Sequence, residues 1–227
     1  MEYEVIEFEC PNCHKAGQFE TAVYIDASDP MMKEKILDQS VFTYVCPQCQ
    51  SNVLIFSPCL VYDEEKKLIV EMQEEGKEED PFTVYVQYRK ITDPLKMKEI
   101  KDHWTMRIVH DPNELMEKVL IREEGLDDRE VEIVKLFLSA RLLEQKPDWN
   151  VQKLFFSVND EGWELAVITD EGFAGSVALS EEMLERVRSE ILPLIDEEKM
   201  NEQIIDQAWA INAMREADED KTERKLS

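Results

Sequence analysis

Two short cysteine motifs constrain this chain more than any other feature. Cys10-Pro11-Asn12-Cys13 and Cys46-Pro47-Gln48-Cys49 share the pattern Cys-Pro-x-Cys, with 32 residues between Cys13 and Cys46. A Cys-x-x-Cys turn points both sulfurs to the same side, proline helps fix its backbone, and nearby amide N–H groups can donate to the sulfurs. Two such turns brought together give four thiolates at tetrahedral positions, about 2.3 Å from a zinc ion. One Cys-x-x-Cys could serve as a redox pair. Two matched ones make metal binding the leading reading, with Cys10, Cys13, Cys46 and Cys49 as ligands and zinc as the expected cofactor. Such a closed set leaves no position for an activated water, so the expected role is structural.

The remaining cysteine is Cys59. An odd count, with four of five cysteines paired as Cys-x-x-Cys, suits a reducing compartment better than a disulfide framework. The first residues, Met1 to Glu7, carry no basic segment and no apolar run of the kind that marks a secretory signal. Apolar runs such as Val53-Leu54-Ile55-Phe56 and Leu154-Phe155-Phe156 are strand-sized, far short of the roughly 20 residues of a spanning helix. A cytoplasmic location is therefore expected. With 51 acidic against 26 basic residues, the net charge is −25. It is spread along the chain, at −10 over residues 1–100, −4 over 101–150 and −11 over 151–227. Such a surface repels phosphate backbones and anionic membranes, which excludes a generic nucleic-acid or lipid binder and favours a basic protein partner. Solubility alone would also account for it. A hydrophobic content of 43% argues against disorder.

Local patterns predict an α+β fold in two lobes and a tail. Residues 1–91 read as a zinc-ribbon-like, β-rich lobe with short helical insertions. Its expected strands are Glu2–Glu9, Gln18–Ile25, Val41–Val45, Val53–Tyr62, Lys67–Met72 and Phe82–Ile91. Asp29-Pro30 starts a short helix through Leu37, with Asp as N-cap and Pro at the first helical position. Gln73–Pro81 reads as a solvated loop. Residues 92–217 read as an α+β lobe, possible in one piece with the first: a helix, an antiparallel three-stranded meander and two C-terminal helices. Asp111-Pro112 starts one helix with Leu115, Met116 and Val119. Asp127 and Glu130 have capping-box spacing before the apolar positions Val131, Val134, Leu138 and Leu142. The meander strands are Lys153–Val158, Glu164–Thr169 and Phe173–Ala178, joined by Asp-Glu-Gly turns. Ser180 caps a further helix, a last one is expected over about 197–216, and residues 218–227 read as a disordered tail.

A family resemblance rests on both cysteine motifs and on the segments that follow them. These are Ser57-Pro58-Cys59-Leu60-Val61-Tyr62-Asp63, Arg107-Ile108-Val109, Asn113 to Val119 and Gly125 to Glu132. Together they resemble the CpXC family of prokaryotic proteins, over about residues 4–145. The resemblance implies a bacterial or archaeal protein that binds metal through the four cysteines, and it implies no particular activity. One departure is the glycine that often follows each motif, replaced here by His14 and Gln50.

Other residues admit a functional and a structural reading. Cys59 sits in an apolar strand and reads as a buried small hydrophobe. His14 could compete as a ligand, and the simpler reading is a partly exposed neighbour. His103 and His110 flank a strand and would form a pH-sensitive pair if aligned. Asp127, Asp128 and Glu130 could be an acid–base cluster, but a helix start also favours anions. Trp149, Trp163, Phe155 and Phe156 could line a groove, with core packing as the alternative. Arg89, Lys90, Lys96, Lys98 and Lys101 make the one basic stretch. No Gly-rich phosphate loop, Ser-His-Asp order or His-Glu-x-x-His motif is present. The leading function class is a non-enzymatic interaction or regulatory module. The alternatives are an enzyme with its site in the second lobe, or an acidic adaptor that mimics nucleic acid.

Overall fold

The computed structural model describes residues 3–226, with side chains as far as Asp218. The chain forms two compact units that divide between Val119 and Leu120.

The first unit contains two small hairpins and one mixed sheet. Strands β1 (Tyr3–Glu9) and β2 (Ala16–Ala22) pair antiparallel from Tyr3↔Ala22 to Glu9↔Ala16, so the first cysteine motif forms the hairpin tip. Strand β3 (Tyr24–Asp26) and helix α1 (Pro30–Leu37) follow, then a 3-10 turn at Ser40–Phe42. Strands β4 (Thr43–Val45) and β5 (Asn52–Leu54) form the second hairpin, with the second motif at its tip. Next come β6 (Cys59–Asp63), β7 (Leu68–Met72), α2 (Pro81–Tyr88), α3 (Pro94–His103) and β8 (Thr105–Val109), and then α4 (Pro112–Glu123), which crosses the division.

The sheet order is β3-β6-β7-β8, with β6 and β7 antiparallel and each edge strand parallel to its neighbour. Every residue of β6 and β7 is buried, so their apolar runs cannot alternate with water and instead supply two cores. Cys59, Val61, Leu68, Val70 and Met72 face α1 and α4, packing with Ile36, Leu115 and Val119. Leu60, Tyr62 and Ile69 face Phe82, Tyr85 and Val86 of α2 and Ile100 of α3.

Asp-Pro dipeptides start all four helices that surround this sheet. Proline occupies a position whose amide has no intrahelical partner, and the aspartate side chain accepts from amides that do not either. Asp29 accepts from Met31 at 2.9 Å, Asp93 from Leu95 at 3.0 Å, and Asp111 from Asn113 at 2.8 Å and Glu114 at 3.0 Å. Asp80 instead accepts from the Thr83 hydroxyl at 2.8 Å.

Several expected boundaries shift. The strand expected over Phe82–Ile91 is helix α2, because Asp80-Pro81 sets a helical start and Phe82, Tyr85 and Val86 line one helical face. Pro58 divides the strand expected over Val53–Tyr62 into β5 and β6, and the strand expected over Gln18–Ile25 is β2 and β3, parted at Val23. Strand β8 pairs with β7 and belongs to the first unit's sheet, so the observed division lies well beyond the expected 91/92.

In the second unit, α5 (Asp128–Gln145) packs on the antiparallel meander β9 (Val151–Asn159), β10 (Gly162–Thr169) and β11 (Gly172–Ala178). Helices α6 (Glu181–Glu190), α7 (Glu197–Met200) and α8 (Gln207–Leu226) follow. Val131, Val134, Leu138 and Leu142 of α5 share one core with Leu154, Phe156, Leu165, Val167, Leu184, Val187 and Trp209. The helix expected over 197–216 is therefore two. Asp206 caps α8 by accepting from Trp209 N at 2.8 Å, and the Trp209 indole donates to Lys199 O at 3.0 Å. Asp127 caps α5 through Arg129 N, but Glu130 does not close a capping box; it binds Arg188 through two contacts of 2.7 and 2.8 Å. The expected tail at 218–227 falls almost entirely on residues whose side chains lie outside those described; the α8 backbone is helical to Leu226.

Ile69 is fully buried at the centre of the sheet, whereas Leu95 on α3 is 78% exposed. Ile69→Ala is expected to cost about 2–5 kcal/mol and Leu95→Ala under about 0.5 kcal/mol, measured by urea unfolding followed through tryptophan fluorescence.

Candidate metal centre

The two cysteine motifs fold into the same turn. In the first, His14 N donates to Cys10 O at 2.9 Å and Cys10 N to Lys15 O at 2.9 Å; in the second, Gln50 N donates to Cys46 O at 2.8 Å and Cys46 N to Ser51 O at 2.9 Å. Closing the turn this way requires a left-handed residue directly after the second cysteine. His14 and Gln50 hold that position at φ of 57° and 60°. Glycine would adopt it without steric cost, and a larger residue does so under strain. The departure noted in the sequence thus leaves the turn intact.

Hairpin β1–β2 and hairpin β4–β5 carry these turns to a common point. Tyr44 of β4 packs edge-on against Phe8 of β1, ring centres 4.8 Å apart, and against Phe19 of β2 at 6.5 Å. Gly17 opposite Phe8 leaves room for that contact, because a Cβ there would stand 3.0 Å from the Tyr44 hydroxyl oxygen. The Sγ atoms of Cys10, Cys13, Cys46 and Cys49 all lie within 4.8 Å of one another, Cys10 to Cys49 at 3.8 Å and Cys13 to Cys46 at 3.6 Å. A tetrahedron with metal–sulfur bonds of about 2.3 Å has edges of about 3.8 Å, so the donor set fits a thiophilic metal ion. These distances are far from the roughly 2.05 Å of a disulfide, and all five cysteines are free. Cys10 and Cys46 are fully enclosed, while Cys13 and Cys49 are half-buried.

Hydrogen bonds and burial make Cys10, Cys13 and Cys49 unlike acids. The Ser51 hydroxyl lies 3.0 Å from Cys49 Sγ and 3.6 Å from Cys10 Sγ. That hydroxyl, joined by the Ser51 amide and the Asn12 side chain, brings the Cys49 thiol down to about 6. Ser51 and the Cys13 amide also lower Cys10. At Cys13 the Lys15 amide pulls downward, but burial and the three neighbouring thiols outweigh it and hold the group up at about 12. The two lowered thiols, Cys10 and Cys49, are thus the two that Ser51 reaches. Nothing in the sequence pattern marked Ser51 for this role.

A family model described as CpXC protein matches residues 8–135, more than half of the 227 residues and all four of these cysteines. The chain belongs to the CpXC family. No curated protein and no solved structure matches it. The family match ends within α5, so the meander and the helices after it lie beyond the matched region.

In this CpXC protein the cluster comprises the four cysteines alone among the described residues, and the other singled-out residues have surroundings of their own. His14 is exposed and its Nδ1 lies 2.9 Å from Glu9 Oε1. Cys59 is buried in β6, and burial pushes its thiol up to about 12, with the charge of Glu71 adding to the effect. His103 ends α3 and His110 follows β8, at opposite ends of one strand, so they do not pair. Asp127 is engaged by Arg129 and Glu130 by Arg188. Phe156 is core, Trp149 and Trp163 pack against that core, and Phe155 projects to the other face near Lys153. The basic stretch is largely spent on ion pairs or ring contacts: Arg89 binds Glu64, Lys98 binds Asp102, and Lys101 lies over Phe82.

The turn geometry makes a direct prediction. Gln50→Gly and His14→Gly are each expected to raise the thermal midpoint of the metal-loaded protein, with a gain under about 1 kcal/mol. Gln50→Val should lower it, and Gly17→Ala should lower it by pushing Tyr44 off the hairpin. Differential scanning calorimetry of the four variants provides the check.

Proposed function

We propose that the four-cysteine cluster holds one zinc ion as a structural staple, and that the protein is a non-enzymatic cytosolic interaction module for a basic protein partner. The observation that carries the zinc half is the donor set itself, four sulfurs at tetrahedral spacing with no fifth donor among the described residues. Soft thiolates favour zinc, cuprous copper or iron–sulfur chemistry over hard cations, and a mononuclear site of four thiolates suits zinc. Four thiolates fill the ion's coordination, which leaves it nothing to activate. The interaction half is supported by the excess of acidic residues and by the pairing of the basic stretch. No helix among the described residues is long and apolar enough to cross a membrane.

Zinc would tie together hairpins too small to hold themselves. By analogy with zinc-finger peptides, the ion would supply on the order of 10–16 kcal/mol to this part of the fold. Binding displaces protons from the thiols, so affinity rises with pH and falls as acid returns the protons.

Elemental analysis should find one zinc per chain, retained in Cys59→Ser and lost in Cys46→Ser. Lowering the pH should release the ion and loosen the hairpins, seen as loss of the Phe8–Tyr44 contact by NMR. A metal-free chain with the hairpins fully ordered would overturn the zinc half. Affinity capture at low salt is expected to recover a partner with a basic surface, released at about 0.5 M salt. A chain recovered alone at every salt concentration would overturn the interaction half and leave the zinc half standing.

A further inference from the structure

Glu71 is a buried carboxyl of the first unit with an unpartnered oxygen. It lies in β7 opposite Leu60 of β6 and Ile108 of β8, on the sheet face that packs against α2. It is only 9% exposed, and its Oε2 has no hydrogen-bond partner. A carboxylate stripped of water without a partner loses solvation that nothing returns, which is why such atoms are rare in folded proteins.

The segment that follows β7 is the source of the surrounding charge. Gln73–Asp80 carries Glu74, Glu75, Glu78, Glu79 and Asp80 against the single cation Lys77, which binds Glu74. A small set of contacts clasps it. The Gln73 side chain donates to Glu79 O at 2.9 Å and accepts from Glu79 N at 2.5 Å, and Gly76 N donates to Glu78 Oε1 at 2.8 Å. His110 Nδ1 lies 3.1 Å from Gln73 O, and its Nε2 is 3.8 Å from Glu78 Oε1. The other neighbours give Glu71 no counter-charge. By strand alternation Cys59 of β6 and Arg107 of β8 project to the opposite face. On α2, Thr83 donates to Asp80 and Tyr85 donates to Glu64; on α3, Lys101 lies over Phe82.

We propose that Gln73–Asp80 is a proton-controlled flap: it lies clasped while Glu71 is protonated, and repulsion from Glu79 and Asp80 lifts it once Glu71 ionises. Burial first, and then the charges of Glu79 and Asp80, push the Glu71 carboxyl up to about 7, from an ordinary value of 4.5. The clasped form therefore binds the proton more tightly than the lifted form. Its extra stability is complete below the ordinary carboxyl range and is lost as the pH rises through about 7.

Amide hydrogen exchange over residues 73–85 of the metal-loaded chain tests this, at pH 5.5 and 7.5 and normalised for intrinsic exchange. The opening equilibrium of the flap should rise roughly twentyfold between the two, the linkage expected for a group moved from 4.5 to about 7. The amides of β9, β10 and β11 should show no such rise. Glu71→Gln and Glu71→Met, both unable to ionise, should hold the flap equally closed at both pH values. Carbon NMR of the wild-type Glu71 carboxyl should show it titrating apart from the surface carboxylates. The proposal is overturned by equal opening at the two pH values, by a pH dependence that survives in either variant, or by Glu71 titrating with the surface groups.

Discussion

The cysteine-bearing half of this molecule depends on four sulfurs meeting at the tips of two hairpins. Hairpin β1–β2 has seven residues a strand and hairpin β4–β5 only three, and isolated two-stranded hairpins are at best marginal in water. Between them they offer one small aromatic cluster, Tyr44 on Phe8 and Phe19. The sulfur cluster concentrates at one point what a larger apolar core would spread over many residues. It also explains why each tip accepts a non-glycine residue in the left-handed region, since the two turns must present both sulfurs whatever follows them. Ser51, between Cys10 and Cys49, joins sulfurs of the two hairpins through one hydroxyl.

The adjoining sheet solves a different problem. Strands β6 and β7 are buried on both faces, so helices must cover each side, and four Asp-Pro dipeptides start those helices at short range. Enclosure on both faces also traps polar side chains. Asp63, at the end of β6, is satisfied by the turn amides of Glu65 and Lys66 and by Lys33 at 3.3 Å. Glu71 has no such provision at Oε2, and the acidic segment above it opposes its ionisation. The same layered packing thus encloses one acid with several partners, Asp63, and one with an unpartnered oxygen, Glu71.

The signals legible in the sequence were local ones. The cysteine spacing, the Asp29 and Asp111 helix starts, the meander with its Asp-Glu-Gly turns and the Ser180 cap were all legible, because each rests on a few neighbouring residues. Residues 82–91 misled, since Phe82, Val84 and Val86 alternate like a strand while Asp80-Pro81 and the Phe82, Tyr85, Val86 spacing define a helix. Glu130 misled as well, because its spacing from Asp127 fits a capping box but Arg188, distant in sequence, claims its carboxylate.

By itself the sequence determined the two cysteine motifs, the family, the acidity and the α+β class, because cysteine spacing, helix caps and charge are properties of short segments or of composition. Only the tertiary structure decided that β8 joins the first unit, that Ser51 reaches two sulfurs of different hairpins, and that Glu71 is stranded beneath an acidic loop. Each of these depends on residues brought together from separate segments. Burial, hydrogen bonding and charge proximity are set by that convergence, and no local pattern encodes it.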